Sequence, residues 1–82
     1  MADLSEPMRL SLKIGTTAII DRLERAIIGG TEDGSLVAQD EPRAVAQGLY
    51  ELWLGASVLA KVHRSIAPLD SANTLTRRIL GV

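Results

Sequence analysis

Between Gly48 and Val62 the chain reads Gly-Leu-Tyr-Glu-Leu-Trp-Leu-Gly-Ala-Ser-Val-Leu-Ala-Lys-Val, a helix-forming run charged only at Glu51 and Lys61. At about 100° per residue on a helical wheel, Val45, Leu49, Leu52, Ala56 and Ala60 fall on one face, with Trp53 at its margin. That stripe is the expected core face. Leu54, Val58, Val62, Leu59, Gly48 and Gly55 occupy the rest of the circumference, so a second apolar surface has to be hidden. A helix apolar nearly all round is a buried helix. The 82 residues make one domain at most, and a chain this short buries only a little over about 60% of its unfolded surface. It offers little of its own to cover such a helix, which turns attention to a partner.

With 46% hydrophobic residues and a single Trp and Tyr, the core must be built from Leu, Ile, Val and Ala, the usual material of helix-on-helix packing. Charges nearly balance at net −1, so no global field selects nucleic acid, an anionic membrane or an acidic substrate. There is no cysteine, which excludes a disulfide scaffold and a thiolate metal site and fits a cytoplasmic setting. The start Met-Ala-Asp-Leu-Ser-Glu-Pro has no basic n-region followed by an apolar stretch. No apolar segment approaches the roughly 18 residues of a membrane span.

Helical periodicity predicts three helices and no strand. The first spans about 6–28: Ser5 caps it, Pro7 sits in its first turn, and Met8, Leu12, Ile19, Leu23 and Ala26 mark its stripe. Gly29-Gly30 is the expected left-handed cap, followed by the polar turn from Thr31 to Ser35. Leu36 and Val37 pin the connection to the core. Asp40-Glu41-Pro42 opens the second helix, about 41–64, in a pattern of cap, acid and early proline. Pro68 restricts Ala67 and opens the third, about 66–80, whose apolar arc is Leu69, Ala72, Leu75, Thr76, Ile79 and Leu80. Gly81 ends it.

Little of the chain's chemistry points to a reaction. His63 is the only histidine and has no orienting carboxylate or companion ligand; with Lys61 and Arg64 it reads as a cationic last turn complementing the helix dipole. No catalytic, metal-ligating or cofactor-binding residue is assigned, and no cofactor is expected; the chain is not read as an enzyme. Gly29-Gly30 lacks the lysine of a phosphate loop. Lys61, Arg64, Arg77 and Arg78 form a solvated set too sparse, without stacking aromatics, for nucleic-acid binding. Glu51, alone in the apolar helix, reads as a rim position between two packed faces. Tyr50 and Trp53 are core material whose polar handles also suit the wall of a small-molecule pocket, with Ser57 beside them. Gly48 and Gly55, seven residues apart, each cost a helix about 1 kcal/mol, and close helix approach is the simplest compensation, either within the subunit or across a dimer axis.

The block Leu49-Tyr-Glu-Leu-Trp-Leu-Gly-Ala-Ser-Val-Leu-Ala-Lys-Val-His-Arg-Ser-Ile-Ala-Pro-Leu-Asp, continuing to Thr76-Arg-Arg-Ile-Leu, resembles the end of TetR-family transcriptional regulators. The Gly34-Ser35-Leu36 turn and Asp40-Glu41-Pro42 resemble the segment before that family's last two helices. The resemblance implies a single, partial C-terminal helical domain over 1–82. It further implies a homodimer in which the last two helices form an intersubunit four-helix bundle, a small hydrophobic effector, and a role in repression. The family's N-terminal helix-turn-helix has no counterpart here, so no direct nucleic-acid contact is expected of this chain, and no membrane contact. Candidate dimer residues are Gly48, Leu52, Gly55, Leu59, Val62, Ala72, Leu75 and Ile79; candidate effector-wall residues are Tyr50, Trp53 and Ser57. The alternative is a standalone small helical homodimer, or a hydrophobic-ligand module, with no tie to DNA.

Overall fold

The computed structural model describes residues 5–82; residues 1–4, part of the stretch read for a leader, lie outside the described residues. Three α-helices follow in order, α1 (Glu6–Glu32), α2 (Pro42–His63) and α3 (Ala67–Leu80), and among the described residues there is no strand. The all-α reading holds. No helix among them is long and apolar enough to cross a membrane.

The ends of the helices follow local chemistry. Ser5 Oγ accepts from the Met8 N–H at 3.3 Å, Pro7 fills the first turn, and Arg9 pairs with Glu6 one turn earlier. α1 does not stop at Gly29-Gly30 as the sequence reading expected; it continues to Glu32 with Asp33 as cap. Gly34, with φ +83°, takes the left-handed turn instead, and the Asp33 carboxylate accepts the Ser35 N–H at 2.9 Å. The Ser35 side chain first, and that backbone bond after it, hold the Asp33 carboxyl below its usual range. The glycine at position 30 serves proximity rather than backbone freedom. A Cβ there would lie 2.5 Å from Leu36 Cδ1, and the Leu36 N–H donates to the Gly30 carbonyl at 3.0 Å. Leu36 thus folds the connection back onto the last turn of α1.

α2 begins at Pro42, and neither Asp40 nor Glu41 supplies the expected side-chain cap; Glu41 is the N-cap residue without a side-chain hydrogen bond. Its C-cap is Arg64, in the left-handed conformation at φ 49°, ψ 49°. A side chain bearing a Cβ costs roughly 1 kcal/mol there, which glycine avoids. Arg64→Gly is therefore expected to raise stability by about 0.5–1 kcal/mol in thermal denaturation, since Lys61 and His63 remain to complement the helix dipole. A loss of stability would show that the guanidinium matters more than the strain. α3 starts at Ala67 with Pro68 in its first turn and ends at Gly81, φ 73°, whose Cβ position would lie 2.9 Å from the Val37 carbonyl oxygen. The Val37 N–H donates to the Leu80 carbonyl at 2.9 Å, so the α1–α2 connection is tied to the end of α3.

α1 packs on α2 and α2 on α3, while α1 and α3 do not pack on each other. The core cluster is Ile27, Val45, Ala46 and Leu49, with Ile20, Leu23, Ala38 and Leu80 against it. Ala46 is 0% exposed, its small side chain letting α1 come close. Arg43 reinforces that crossing through Nη1, which donates to the Asp21 carboxylate and, at 3.3 Å, to Glu24. Asp21 first, and Glu24 after it, keep the guanidinium more firmly protonated than usual. The extents of 43 × 30 × 14 Å describe one layer of helices. Domains close a core between two layers, so this layer leaves both of its broad faces without a cover of its own.

Candidate dimer interface

α2 and α3 form an antiparallel hairpin whose register is set by one side-chain bond. The Trp53 indole N–H donates to Thr76 Oγ1 at 2.8 Å, and that hydroxyl donates to the Ala72 carbonyl at 2.7 Å. Trp53 therefore lies level with Thr76, and the short turn at 64–66 brings Lys61 level with Pro68. Beside this clasp, Ala56 and Ala72 are buried where the helices touch, Ala72 at 1% exposure. Two small side chains allow a close approach, and the backbones flanking them leave a shallow trough on one face. Thr76→Val keeps the shape but removes the acceptor of a part-buried indole N–H, and is expected to lower stability by about 1–2 kcal/mol. An unchanged denaturation midpoint would show that water replaces the threonine without loss.

The trough is a cleft of about 570 Å³ lined by Leu52, Gly55, Ala56 and Leu59 of α2 and Pro68, Ser71, Ala72 and Leu75 of α3, with Glu51 and Ala67 at its ends. Glu51 is its one charged lining residue. Four of the candidate dimer positions, Leu52, Gly55, Leu59 and Leu75, come together on its walls. Ala72 is its floor, buried against α2. Gly48 and Ile79 line a smaller cleft of about 220 Å³ with Asp40, Ala44, Val45 and Leu49, and Val62, 68% exposed, stands outside both. A Cβ added at Gly48 or Gly55 would meet nothing within 4 Å, so no helix of this chain crosses closely at either glycine. The intrasubunit version of the close crossing is absent.

The three candidate effector-wall residues share one side of α2, but they do not line the groove. Tyr50 and Trp53 are half-buried, the indole N–H is already satisfied by Thr76, and the exposed Ser57 hydroxyl donates to the Trp53 carbonyl at 2.8 Å. The indole N–H and the Ser57 hydroxyl are thus both engaged within the hairpin. The four cations grouped in the sequence reading are also separated: Arg77 and Arg78 lie level with Leu52 and Glu51, about nine residues or roughly 13 Å along the axis from Lys61. Sequence reasoning missed Pro68 and Ser71 as groove residues, although both stand at helical spacing from Leu75. Arg78, expected on the solvated side, is exposed there and continues the edge of Ser71 and Leu75 at i+7 and i+3.

The chain exposes 6145 Å² of surface, against roughly 4,800 Å² for a compact monomer of its mass. Much of the excess is apolar: Leu54, Val58, Leu59, Val62, Leu75 and Ile79 on the hairpin are all exposed.

No family model matches the chain. It is 40% identical over 81 residues to the HTH-type transcriptional repressor NemR of Escherichia coli strain K12, covering 99% of this chain and 41% of that protein. Among solved structures it resembles the reduced form of E. coli NemR, with a TM-score of 0.91 and 42% identity over 95% of this chain and 42% of the other. It also resembles a transcriptional regulator of the TetR/AcrR family, with a TM-score of 0.89 and 37% identity over 95% of this chain and 44% of the other. The chain thus spans about two-fifths of the length of these relatives. Three helices in this order, with this identity along nearly all their length, make the chain homologous to a C-terminal region of NemR, a TetR-family transcriptional repressor.

Proposed function

We propose that these residues form the dimerisation part of a TetR-like transcriptional repressor, acting in the cytoplasm as a homodimer and carrying no enzymatic step. The observation behind this reading is the open apolar groove on the α2–α3 face of a layer only 14 Å thick. A second hairpin laid on that face gives α2 and α3 the second layer they lack, and two hairpins make a four-helix bundle. The stability of the chain supports the same conclusion. Burying about six Leu, Ile or Val side chains per subunit at roughly 1.5–3 kcal/mol each offsets much of an otherwise marginal fold. Isologous pairing is also the commonest arrangement of soluble oligomers.

Analytical ultracentrifugation of the 82-residue chain tests the reading. Dimer at micromolar concentration is the expected result, and a well-folded monomer there overturns it. Effector sensing is a separate part of the proposal. Tryptophan fluorescence titrated with small hydrophobic ligands checks it, because Trp53 is the chain's single tryptophan and a candidate effector-wall residue; an unchanged emission across the series overturns that part.

A further inference from the structure

Glu51 is hard to reconcile with a groove that simply buries apolar surface. It is the only charged side chain lining the cleft, and among the described residues it takes part in no ion pair or side-chain hydrogen bond. A second hairpin closing over it strips water from an unpaired carboxylate unless the partner answers with a cation. The Trp53–Thr76 bond places Arg78 of α3 level with Glu51 of α2, one turn beyond Leu75 of the opposite wall. Arg78 continues the exposed edge of Ser71 and Leu75, and it too has no ion pair among the described residues.

Two ways of laying one hairpin face to face on a second copy have two-fold symmetry. If the axis crosses the groove, levels invert, and each Glu51 meets the partner α2 near Leu59. If the axis runs along the groove, levels are kept and α2 lies over the partner's α3. Glu51 then faces the partner's Arg78, and by symmetry the pair forms twice. Only the second arrangement gives the groove's charge an opposite charge. We infer that the groove is closed by a second copy whose two-fold axis runs along it, with Glu51 of each subunit paired to the partner's Arg78, and that this pair selects the partner and fixes the register. The inference rests on the dimer reading above and adds orientation and specificity to it.

A charge-reversal pair tests this with the chain as it stands. Glu51→Arg sets two arginines against each other twice per dimer, and Arg78→Glu does the same with carboxylates. Each variant alone is expected to dimerise at least tenfold more weakly than wild type in sedimentation velocity. Mixed in equal amounts, the two carry only opposite pairs, and native mass spectrometry should show heterodimer as the dominant dimer. Both positions are exposed, so circular dichroism should show unchanged helix content. Glu51→Gln, which removes charge without bulk, should weaken dimerisation severalfold and flatten its dependence on salt. A wild-type dimer whose self-association is unaltered by the reversals overturns the pairing and leaves the dimer reading intact. So does a mixture that recovers no heterodimer, as a pair within one subunit would produce. Monomeric wild type overturns both.

Discussion

Replacing Gly55 with leucine is expected to turn the proposed dimer into a folded monomer. The residue lies on the groove wall, a Cβ added there meets nothing of its own subunit within 4 Å, and the rest of the leucine has the open groove to occupy, so the hairpin that carries it is expected to stay folded. Across a two-fold interface the extra bulk enters twice. At about 1–3 kcal/mol for each overpacked site, the dimer loses roughly 2–6 kcal/mol, or about 30- to 20,000-fold in dissociation constant. Gly55→Ala sharpens the test because its two effects have opposite signs. In the isolated subunit alanine should stabilise α2 by up to about 1 kcal/mol, because a mid-helix glycine is replaced in open space. Dimerisation should weaken at the same time. Sedimentation velocity and thermal denaturation of the same samples separate the two. A Gly55→Leu chain that dimerises like wild type would remove the glycine from the interface.

The second large effect belongs to the core. Leu49 is buried where α1 and the end of α3 both meet α2, in the cluster with Ile27, Val45 and Ala46. Leu49→Ala should cost about 2–5 kcal/mol, because the cavity it leaves is held open by three helices tied together through Arg43 and the Val37–Leu80 bond. The whole stability of a chain this size is only about 4–12 kcal/mol. The variant should therefore melt well over 10 °C lower than wild type when followed by circular dichroism at matched protein concentration. A shift of only a few degrees would mean that Leu49 is not at the centre of the core.

The features legible in the sequence are those set by spacing. On α2, Val45, Leu49 and Ala56 of the expected core face are buried and Leu52 and Ala60 half-buried, and the helix limits fall within a few residues of those expected. On α1 the expected stripe is exposed at Met8, Leu12, Ile19 and Ala26, because the apolar packing of α1 on α2 runs through Ile20, Leu23 and Ile27. What periodicity could not supply was the reason for each glycine. Gly29-Gly30 looks like a terminator because a glycine pair commonly is one. Only the folded connection reveals that position 30 is kept small for Leu36, a contact between segments whose relative placement no local pattern encodes. Trp53 is a similar case. Its indole reads as core material that also suits a pocket wall until Thr76, twenty-three residues away, is seen to accept its hydrogen bond. The groove was half legible for the same reason: α2 declared its side through Gly55 and Leu59, whereas Pro68, Ser71 and Arg78 acquire meaning only once the hairpin register is known.

The absence of packing between α1 and α3 shapes how the molecule comes apart. Every tertiary contact between helices runs through α2, so the order of the fold is that of a short linear array, in which each member steadies only its neighbour. Detaching α1 leaves the α2–α3 hairpin with its clasp and its groove intact. The first ten residues of α1, where Met8, Leu10, Leu12 and Ile14 are all exposed, belong to the least protected end of that array. Amide exchange should accordingly fall into a gradient, fastest at the start of α1 and slowest along the middle of α2. Association through the hairpin would slow exchange in α2 and α3 while leaving the far end of α1 almost untouched. Self-association and the outer arm of this chain are thus energetically separable, and α1 is left free to answer to something else.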